Sequence, residues 1–231
     1  MTNGKNMLKP TIVNILKVKS IPPLFWSSSK PLTVRPPIIS VMMLTIGLTL
    51  FGLGEALLIA SGAGVSPWTV FAQGASKITG FSIGSSTFII STFVLLLWVP
   101  LKQRPGMGTV LNIIIISVML DFALAYLPKF DSLGLQIAEA AVGVLVTGLG
   151  GAIYLIANLG PGPRDGLMTG LQRITNFPIA GVRSFIEVSV VILGWSLGGV
   201  VGIGTLLFAF GIGPAVAASI FFLTFIFGEK S

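Results

Sequence analysis

The sequence contains no cysteine and no histidine, and charged residues make up only 9% of its 231 residues. The missing residue types exclude disulfides, Cys/His metal sites, thiol nucleophiles and imidazole bases. A soluble domain carries about 25% charged residues, whereas this chain is 53% apolar and has a mean hydropathy of +0.97. The composition therefore predicts an all-α protein that crosses a lipid bilayer several times.

Long apolar runs give the approximate positions of the membrane spans. A helix rises about 1.5 Å per residue and needs about 20 apolar residues to cross a bilayer. Runs of roughly that length predict about six transmembrane helices. Their approximate limits are residues 39–60, 83–100, 109–127, 136–157, 179–200 and 205–227.

Two turns rich in glycine and proline precede helices that are too short to cross a bilayer alone. In the first turn, Ser66 is a suitable N-cap and Pro67 stands where proline is favourable; the helix ends near Thr79. The second short helix begins at Pro163 and ends near Thr175. Such helices either dip into the membrane, as in many secondary transporters, or lie flat in the interface.

The chain repeats itself at an offset of 96 residues without a gap. Gly64 and Pro67 correspond to Gly160 and Pro163, and apolar composition alone does not explain coincident glycines and prolines in loops. We therefore predict two membrane repeats, residues 39–130 and 135–228. Further matches are Gly47 with Gly143, Gly52-Leu53-Gly54 with Gly148-Leu149-Gly150, Gly74 with Gly170, Lys77-Ile78-Thr79 with Arg173-Ile174-Thr175, and Gly106-Met107-Gly108-Thr109 with Gly202-Ile203-Gly204-Thr205.

The basic residues indicate the orientation. Residues 1–38 hold six of the 14 Lys and Arg residues and no acidic residue, which is typical of a cytoplasmic tail that contacts anionic lipid headgroups rather than nucleic acid. The prolines of this tail predict loose order. With three spans per repeat and a cytoplasmic N-terminus, Lys77 and Lys129 are the only basic residues expected on the external side of the membrane. Because an odd number of spans inverts the second repeat, we predict a 3+3 inverted architecture with an extra short helix after each first span and both termini cytoplasmic.

The two turns resemble a known family. Gly64-Val65-Ser66-Pro67-Trp68 and Gly160-Pro161-Gly162-Pro163-Arg164-Asp165-Gly166-Leu167-Met168, each followed by a Gly-x-Gly-Thr turn, are similar to those of YczE-like bacterial integral membrane proteins, relatives of the YitT group. The resemblance covers about residues 40–225. It implies a multi-pass protein of the bacterial inner membrane and no particular activity. Thr69 stands where the family's first motif often has an aspartate, so a matched pair of acids at the two motifs is in doubt.

Charged side chains in the spans and at the two turns are the candidate functional residues. Free N–H groups and the helix dipole favour an anion at a helix N-terminus, and ionisable groups in a bilayer are functional by default. The first hypothesis is a secondary transporter or permease for a small molecule or ion, with its site between the repeats. The predicted substrate-binding residues are Pro67, Trp68, Thr69, Gly160, Pro163, Arg164 and Asp165, and the predicted proton- or cation-coupling residues are Glu55, Asp121, Asp165 and Glu187.

Some of these residues also have a structural interpretation. Arg183 precedes Glu187 by four positions, so the two charges can neutralise each other on one helix face. As a first-turn acid, Asp165 can simply stabilise its helix. Glycines at small-residue spacing allow close helix packing. The second hypothesis is therefore a non-transporting membrane scaffold or an assembly and interaction partner. A homo-oligomer is compatible with either hypothesis.

Enzymatic interpretations find little support in the sequence. A His-Glu-x-x-His zinc helix is excluded because histidine is absent, and no Gly-x-x-x-x-Gly-Lys phosphate-binding loop occurs. We expect no enzymatic activity, no cofactor and no bound metal.

Overall fold

The computed structural model describes residues 21–228, and all regular secondary structure in that range is helical. Eight helices follow one another along the described chain. They are α1 (Ile38–Ser61), α2 (Pro67–Thr79), α3 (Ile83–Leu96), α4 (Met107–Leu124), α5 (Leu133–Ala157), α6 (Pro163–Thr175), α7 (Ile179–Ser196) and α8 (Ile203–Phe227).

Five of these helices are long and apolar enough to cross a membrane, namely α1, α4, α5, α7 and α8. The pair α2 and α3 adds a sixth candidate span only if it is counted as one segment bent by 113°. The predicted class, a multi-spanning α-helical membrane protein in contact with lipid, is therefore confirmed.

The second predicted span, residues 83–100, is shorter than expected. Helix α3 ends at Leu96 after 14 residues, which gives a length of about 21 Å, less than the hydrocarbon core of about 30 Å. Two features accompany this early end, one local and one a contact with a distant residue. Pro100 disfavours a helical conformation at the preceding residue, and the indole of Trp98 donates a hydrogen bond to the Pro163 carbonyl at 2.9 Å.

Helices α1 and α5 form the central pair of the bundle, held close by facing glycines. A methyl group at Gly47 would lie 2.9 Å from the Gly150 carbonyl oxygen, and one at Gly54 would lie 2.6 Å from that of Gly143. The contacts run in opposite order along the two helices, so α1 and α5 are antiparallel. Helix α4 packs against α1 and helix α8 against α5, while α2 lies on α7 and α3 on α6.

The two glycine-rich turns each cross the beginning of a distant helix. The Gly204 N–H donates to the Ala63 carbonyl at 2.8 Å, and the Gly108 N–H donates to the Leu159 carbonyl at 2.7 Å. Gly64 and Gly160, the next residues along, have φ values of +117° and +108°, a region that residues with a Cβ rarely adopt. The crossings fix the N-termini of α2 and α6, and the first turns of both helices are largely buried in the bundle.

The segment 21–37 packs against the bundle before α1 begins. Leu24 and Trp26 are fully buried, and the Ser28 N–H donates to the Ala157 carbonyl at the end of α5 at 3.0 Å. The Asn158 amide returns a hydrogen bond to the Ser28 carbonyl at 2.9 Å. The expectation of loose order is therefore wrong for residues 21–37, because their apolar side chains fill space beside α5. The basic residues before position 21 lie outside the described residues.

Candidate functional site

A cavity of about 260 Å³ lies at the centre of the described bundle. The first turns of α2 and α6 reach it from Ser66 to Trp68 and from Gly162 to Asp165. Helix α1 adds Phe51 and α6 adds Met168, and α4, α5, α7 and α8 supply the remaining side chains. The two predicted motifs therefore meet at one cavity, although nearly 100 residues separate them.

Residues that correspond at the 96-residue offset line this cavity together. The corresponding pairs are Ser66 and Gly162, Pro67 and Pro163, Trp68 and Arg164, Asn112 and Phe208, and Ile116 and Ile212. The pairs differ in chemistry, because Arg164 and Asn112 are polar whereas their counterparts Trp68 and Phe208 are aromatic.

Arg164 is a partly buried cation in the wall of the cavity. Its guanidinium lies 5.3 Å from the centroid of the Trp68 ring, within the range of a cation–π interaction. Across residues 21–228, no hydrogen bond and no ion pair uses this guanidinium. The carboxylates of Glu55, Asp165 and Glu187 lie within its electrostatic reach. Arg164 thus offers five N–H donors to a molecule in the cavity.

Glu55 provides a buried carboxyl group behind the first motif. It lies on α1, is 2% exposed, and its Oε2 accepts hydrogen bonds from Ser66 Oγ at 2.7 Å and Thr69 Oγ1 at 2.6 Å. Its other oxygen, Oε1, has no hydrogen-bond partner among the described residues. Thr69 corresponds to Asp165 at the 96-residue offset, so the first motif has no acid of its own at this position. Glu55 of α1 lies beside Thr69 instead, and an acid therefore adjoins each motif.

Asp165 is held by a tyrosine at the second motif. The Tyr154 hydroxyl on α5 donates a hydrogen bond to Asp165 Oδ2 at 2.9 Å, and both residues line the cavity. Sequence reasoning missed Tyr154 and Asn112. A tyrosine and an asparagine within apolar spans were the available signal, since buried polar groups in a membrane need partners.

Residues 38–220 match a protein family that is described as a family of unknown function, DUF6198. The chain belongs to this family. It is 43% identical over 210 residues to an uncharacterized protein of Haemophilus influenzae, an alignment that covers 91% of this chain and 94% of the relative. It is 32% identical to the uncharacterized membrane protein YczE of Bacillus subtilis, covering 71% and 77% of the two chains.

A second Bacillus subtilis relative, the uncharacterized protein YyaS, is 29% identical over 70% of this chain and 83% of its own. The YczE-like resemblance is therefore confirmed. No solved structure matches the chain significantly. The relatives support membership of DUF6198 and a membrane location, and their names state no activity.

In this DUF6198 protein, the charged pair on α7 lies at the rim of the cavity. Arg183 Nε and Glu187 Oε1 form an ion pair at 2.9 Å, and both side chains contribute to the lining. The structural interpretation of these two residues, mutual neutralisation across one helical turn, agrees with this contact.

Besides Glu55, three predicted site residues lie away from the cavity wall. Asp121 accepts hydrogen bonds from Ser82 Oγ at 2.6 Å and from the Gly84 N–H at 2.8 Å, which makes it a cap for the start of α3. Gly160 packs on the backbone of the turn before α4. Thr69 is buried behind the wall, against Glu55. Within residues 21–228, no group of three or more acidic side chains is arranged to hold a metal ion.

Proposed function

We propose that this protein is a secondary transporter that binds a small anionic molecule in the central cavity, between two inverted repeats. One observation carries the proposal. The guanidinium of Arg164 faces the cavity without a hydrogen-bond or ion-pair partner among the described residues, beside the first turns of two short helices.

The helix starts support the repeat. Helices α2, α3 and α4 begin at Pro67, Ile83 and Met107, and α6, α7 and α8 begin 96 residues later in each case. Each half therefore contains one long helix, one short helix and two further helices in the same order.

The contacts between the halves support the inversion. At the 96-residue offset, Gly47 corresponds to Gly143 and Gly54 corresponds to Gly150. The contact of Gly47 with Gly150 is therefore equivalent to the contact of Gly143 with Gly54 across the α1–α5 interface. The turn contacts exchange in the same way, because Ala63 with Gly204 becomes Leu159 with Gly108. A two-fold axis in the membrane plane relates equivalent parts of a protein in this manner.

Helix electrostatics favour an anion at this site. Neither α2 nor α6 has a side chain capping its N-terminus, so N–H groups of the first turns and the positive ends of both dipoles are available near the cavity. Arg164 adds a planar fork that fits a carboxylate, phosphate or sulfonate group in a bidentate manner.

The charges around the site favour coupling to a proton. Arg164 and Arg183 balance Asp165 and Glu187, so a bound anion and an ionised Glu55 would leave two uncompensated negative charges in a poorly solvated interior. Protonation of Glu55 removes one of them. The proposed transporter therefore carries its anion together with a proton, and each ligand increases the affinity for the other.

The proposed orientation places both termini in the cytoplasm of a bacterial cell, with the protein in the inner membrane. The distribution of basic residues supports it. The proposal includes no enzymatic step and no cofactor.

The second candidate function is a non-transporting scaffold. Its supporting observation is the Arg183–Glu187 ion pair, which neutralises two of the charges that line the cavity. A scaffold needs no free path through the cavity.

The test is proton movement in vesicles. Purified protein is reconstituted in liposomes that contain a pH-sensitive dye, and a gradient of acetate, phosphate or methanesulfonate is imposed. Because sulfonic acids stay ionised, they do not cross the bilayer as neutral acids. Acidification in a methanesulfonate gradient therefore reports proton transport by the protein and not passive diffusion of a neutral acid. We expect internal acidification with the wild type, its loss in Arg164→Gln, and its retention in Arg173→Gln, an exposed arginine on the same helix. Identical signals from all variants and from protein-free vesicles would contradict the proposal.

A further inference from the structure

The wall of the bundle is open between α7 and α8. Helix α3 packs along α4, but the corresponding helices α7 and α8 lack such an interface. Helix α7 is held by α2 and α6 instead, and α8 by α5. Only 22% of the apolar core segment of each of these two spans is buried within the described bundle, compared with 67% for α5. The two halves therefore differ in the packing of their last two helices, which leaves a gap between α7 and α8.

This gap leads to the cavity. Arg183 and Glu187 of α7 line one part of the cavity, and Phe208, Ile212 and Val216 of α8 line another. The cavity is therefore bounded in part by two helices that do not pack against each other.

Gly213 lies at an opening in the cavity wall, near the middle of α8. It lines the cavity, is exposed, and has no atom within 4 Å of the position that a Cβ would occupy. The next residue, Pro214, lies inside the helix and cannot donate the usual backbone hydrogen bond to Phe210, which weakens the helix locally. Because α8 is a span of 25 residues, Gly213 lies near mid-bilayer depth.

The outer surfaces of both helices are apolar. Val188 and Ile192 of α7 are 57% and 58% exposed, and Leu206 and Phe210 of α8 are 59% and 78% exposed. Such surfaces on membrane-spanning helices face lipid. The gap consequently connects the cavity with the bilayer.

The polar and the apolar side chains of the cavity come from partly different helices. Asn112, Tyr154, Arg164 and Asp165 supply polar groups from α4, α5 and α6, which also contribute Ile116, Leu155 and Met168. Helices α1 and α8 contribute no polar side chain to the lining, and their apolar side chains there are Phe51, Phe208, Ile212 and Val216. The cavity's volume of about 260 Å³ lies just below the roughly 300–1,000 Å³ that is usual for drug-sized ligands, so the occupant is small.

We propose that the substrate is a small amphipathic anion that reaches the cavity from the bilayer, through the gap between α7 and α8. Its anionic group binds Arg164 and its apolar body lies against Phe208, Ile212 and Val216. This inference rests on the proposed function and specifies both the substrate class and the entry route.

The substrate class is tested by anion binding in lipid nanodiscs, measured by calorimetry. The probes are hexanesulfonate, methanesulfonate and the cation hexyltrimethylammonium. We expect hexanesulfonate to bind at least tenfold more tightly than methanesulfonate, and the cation to bind no better than to empty nanodiscs. Arg164→Gln should lower the hexanesulfonate affinity at least tenfold, while Arg173→Gln leaves it unchanged.

The outcomes separate the inference from the proposed function. If methanesulfonate and hexanesulfonate bind equally, and both need Arg164, the amphipathic substrate is wrong but the anion site stands. If neither sulfonate, nor acetate nor phosphate, binds in a manner that depends on Arg164, the proposed function fails as well.

The entry route is tested with a blocking side chain at the gap. Gly213→Trp fills the opening, and Gly181→Trp is the matched control, because Gly181 also lies on an exposed helix surface with no atom within 4 Å of its Cβ position but does not line the cavity. A blocked portal slows both the binding and the release of the anion. We expect Gly213→Trp to lower both rate constants for hexanesulfonate at least tenfold, and Gly181→Trp to change neither.

Two results would overturn the portal. One is an unchanged association rate in a folded Gly213→Trp protein. The other is efficient disulfide formation between two copies of Gly213→Cys in the native membrane, which would show that a second copy of the chain closes the gap. A changed Kd with unchanged association would place Gly213 in the binding site rather than at its entrance, and would also reject the portal.

Discussion

Trp68 and Arg164 occupy corresponding positions in the two halves of the chain, and the guanidinium of Arg164 lies 5.3 Å from the centroid of the Trp68 ring. Each is the second residue of a short helix that begins with proline. The contact brings the two sequence motifs together at the cavity and places the positive charge of one half on the aromatic face of the other.

Replacing Arg164 with lysine tests the geometry of this contact separately from its charge. Lysine keeps a positive charge but loses the planar fork and much of the stacking on Trp68. We expect Arg164→Lys to weaken anion binding by about 1–2 kcal/mol, roughly 5- to 30-fold, as measured by calorimetry in nanodiscs. An affinity equal to that of the wild type would show that only the charge matters.

Replacing Glu55 with glutamine tests proton coupling. In the proposed coupling the proton and the anion increase each other's affinity, so anion binding by the wild type should weaken as the pH rises. Glu55→Gln mimics the protonated state, so its anion affinity should be high and nearly independent of pH. Glu139→Gln is the matched control, since Glu139 is also a buried carboxyl group in a span, but it accepts no hydrogen bond from Ser66 or Thr69 of the first motif. Equal pH profiles of wild type and Glu55→Gln would reject Glu55 as the coupling residue.

Removing the Tyr154 hydroxyl tests how Asp165 is held. Tyr154→Phe leaves the partly buried Asp165 carboxylate without this donor, so we expect a loss of about 1–3 kcal/mol in unfolding free energy. Asp165→Asn should reduce the effect of Tyr154→Phe, because the two residues act as a pair. Thermal unfolding of both single variants and the double variant measures the coupling. Strictly additive losses would show that the hydrogen bond contributes nothing.

The glycine interface between α1 and α5 predicts a sharp difference between two similar substitutions. A methyl group at Gly54 would lie 2.6 Å from the Gly143 carbonyl oxygen, whereas one at Gly134 would meet nothing closer than 3.9 Å. Gly54→Ala should cost about 1–3 kcal/mol through overpacking. Gly134→Ala should be neutral or slightly stabilising, because alanine is the better helix former. Unfolding of both variants in the same detergent compares them, and equal stabilities would contradict the close packing.

Much of the fold could be predicted from the sequence because its signals are local or periodic. Apolar run length predicted the membrane helices, and Pro67 and Pro163 marked the starts of α2 and α6 to the residue. The failures have specific causes. Helix α3 ends before Trp98, whose indole bonds to Pro163, a residue distant in the chain. Leu24 and Trp26 order a segment whose prolines predicted loose order.

The candidate site was less accessible to sequence reasoning because its contacts join distant helices. Thr69 appeared to break the pairing of acids at the two motifs, yet the Glu55 carboxyl group from α1 accepts its hydrogen bond. Asp121 looked like an isolated acid within a span, whereas it caps the start of α3. The gap between α7 and α8 has no local sequence signal, because it depends on which helices pack against each other in the folded bundle.

The most direct test of the central claim is the accessibility of the cavity from the two sides of the membrane. The chain lacks cysteine, so a single cysteine at Asn112 in the cavity wall can be labelled selectively with a membrane-impermeant thiol reagent. Arg104→Cys and Lys129→Cys, both at exposed positions, are the controls for the cytoplasmic and external sides. We expect Asn112→Cys to react from both sides and hexanesulfonate to slow the reaction, while each control reacts from one side only. If the controls behave in this way and Asn112→Cys stays unreactive, or reacts from one side alone, the cavity is not an alternating-access site and the transporter proposal is contradicted.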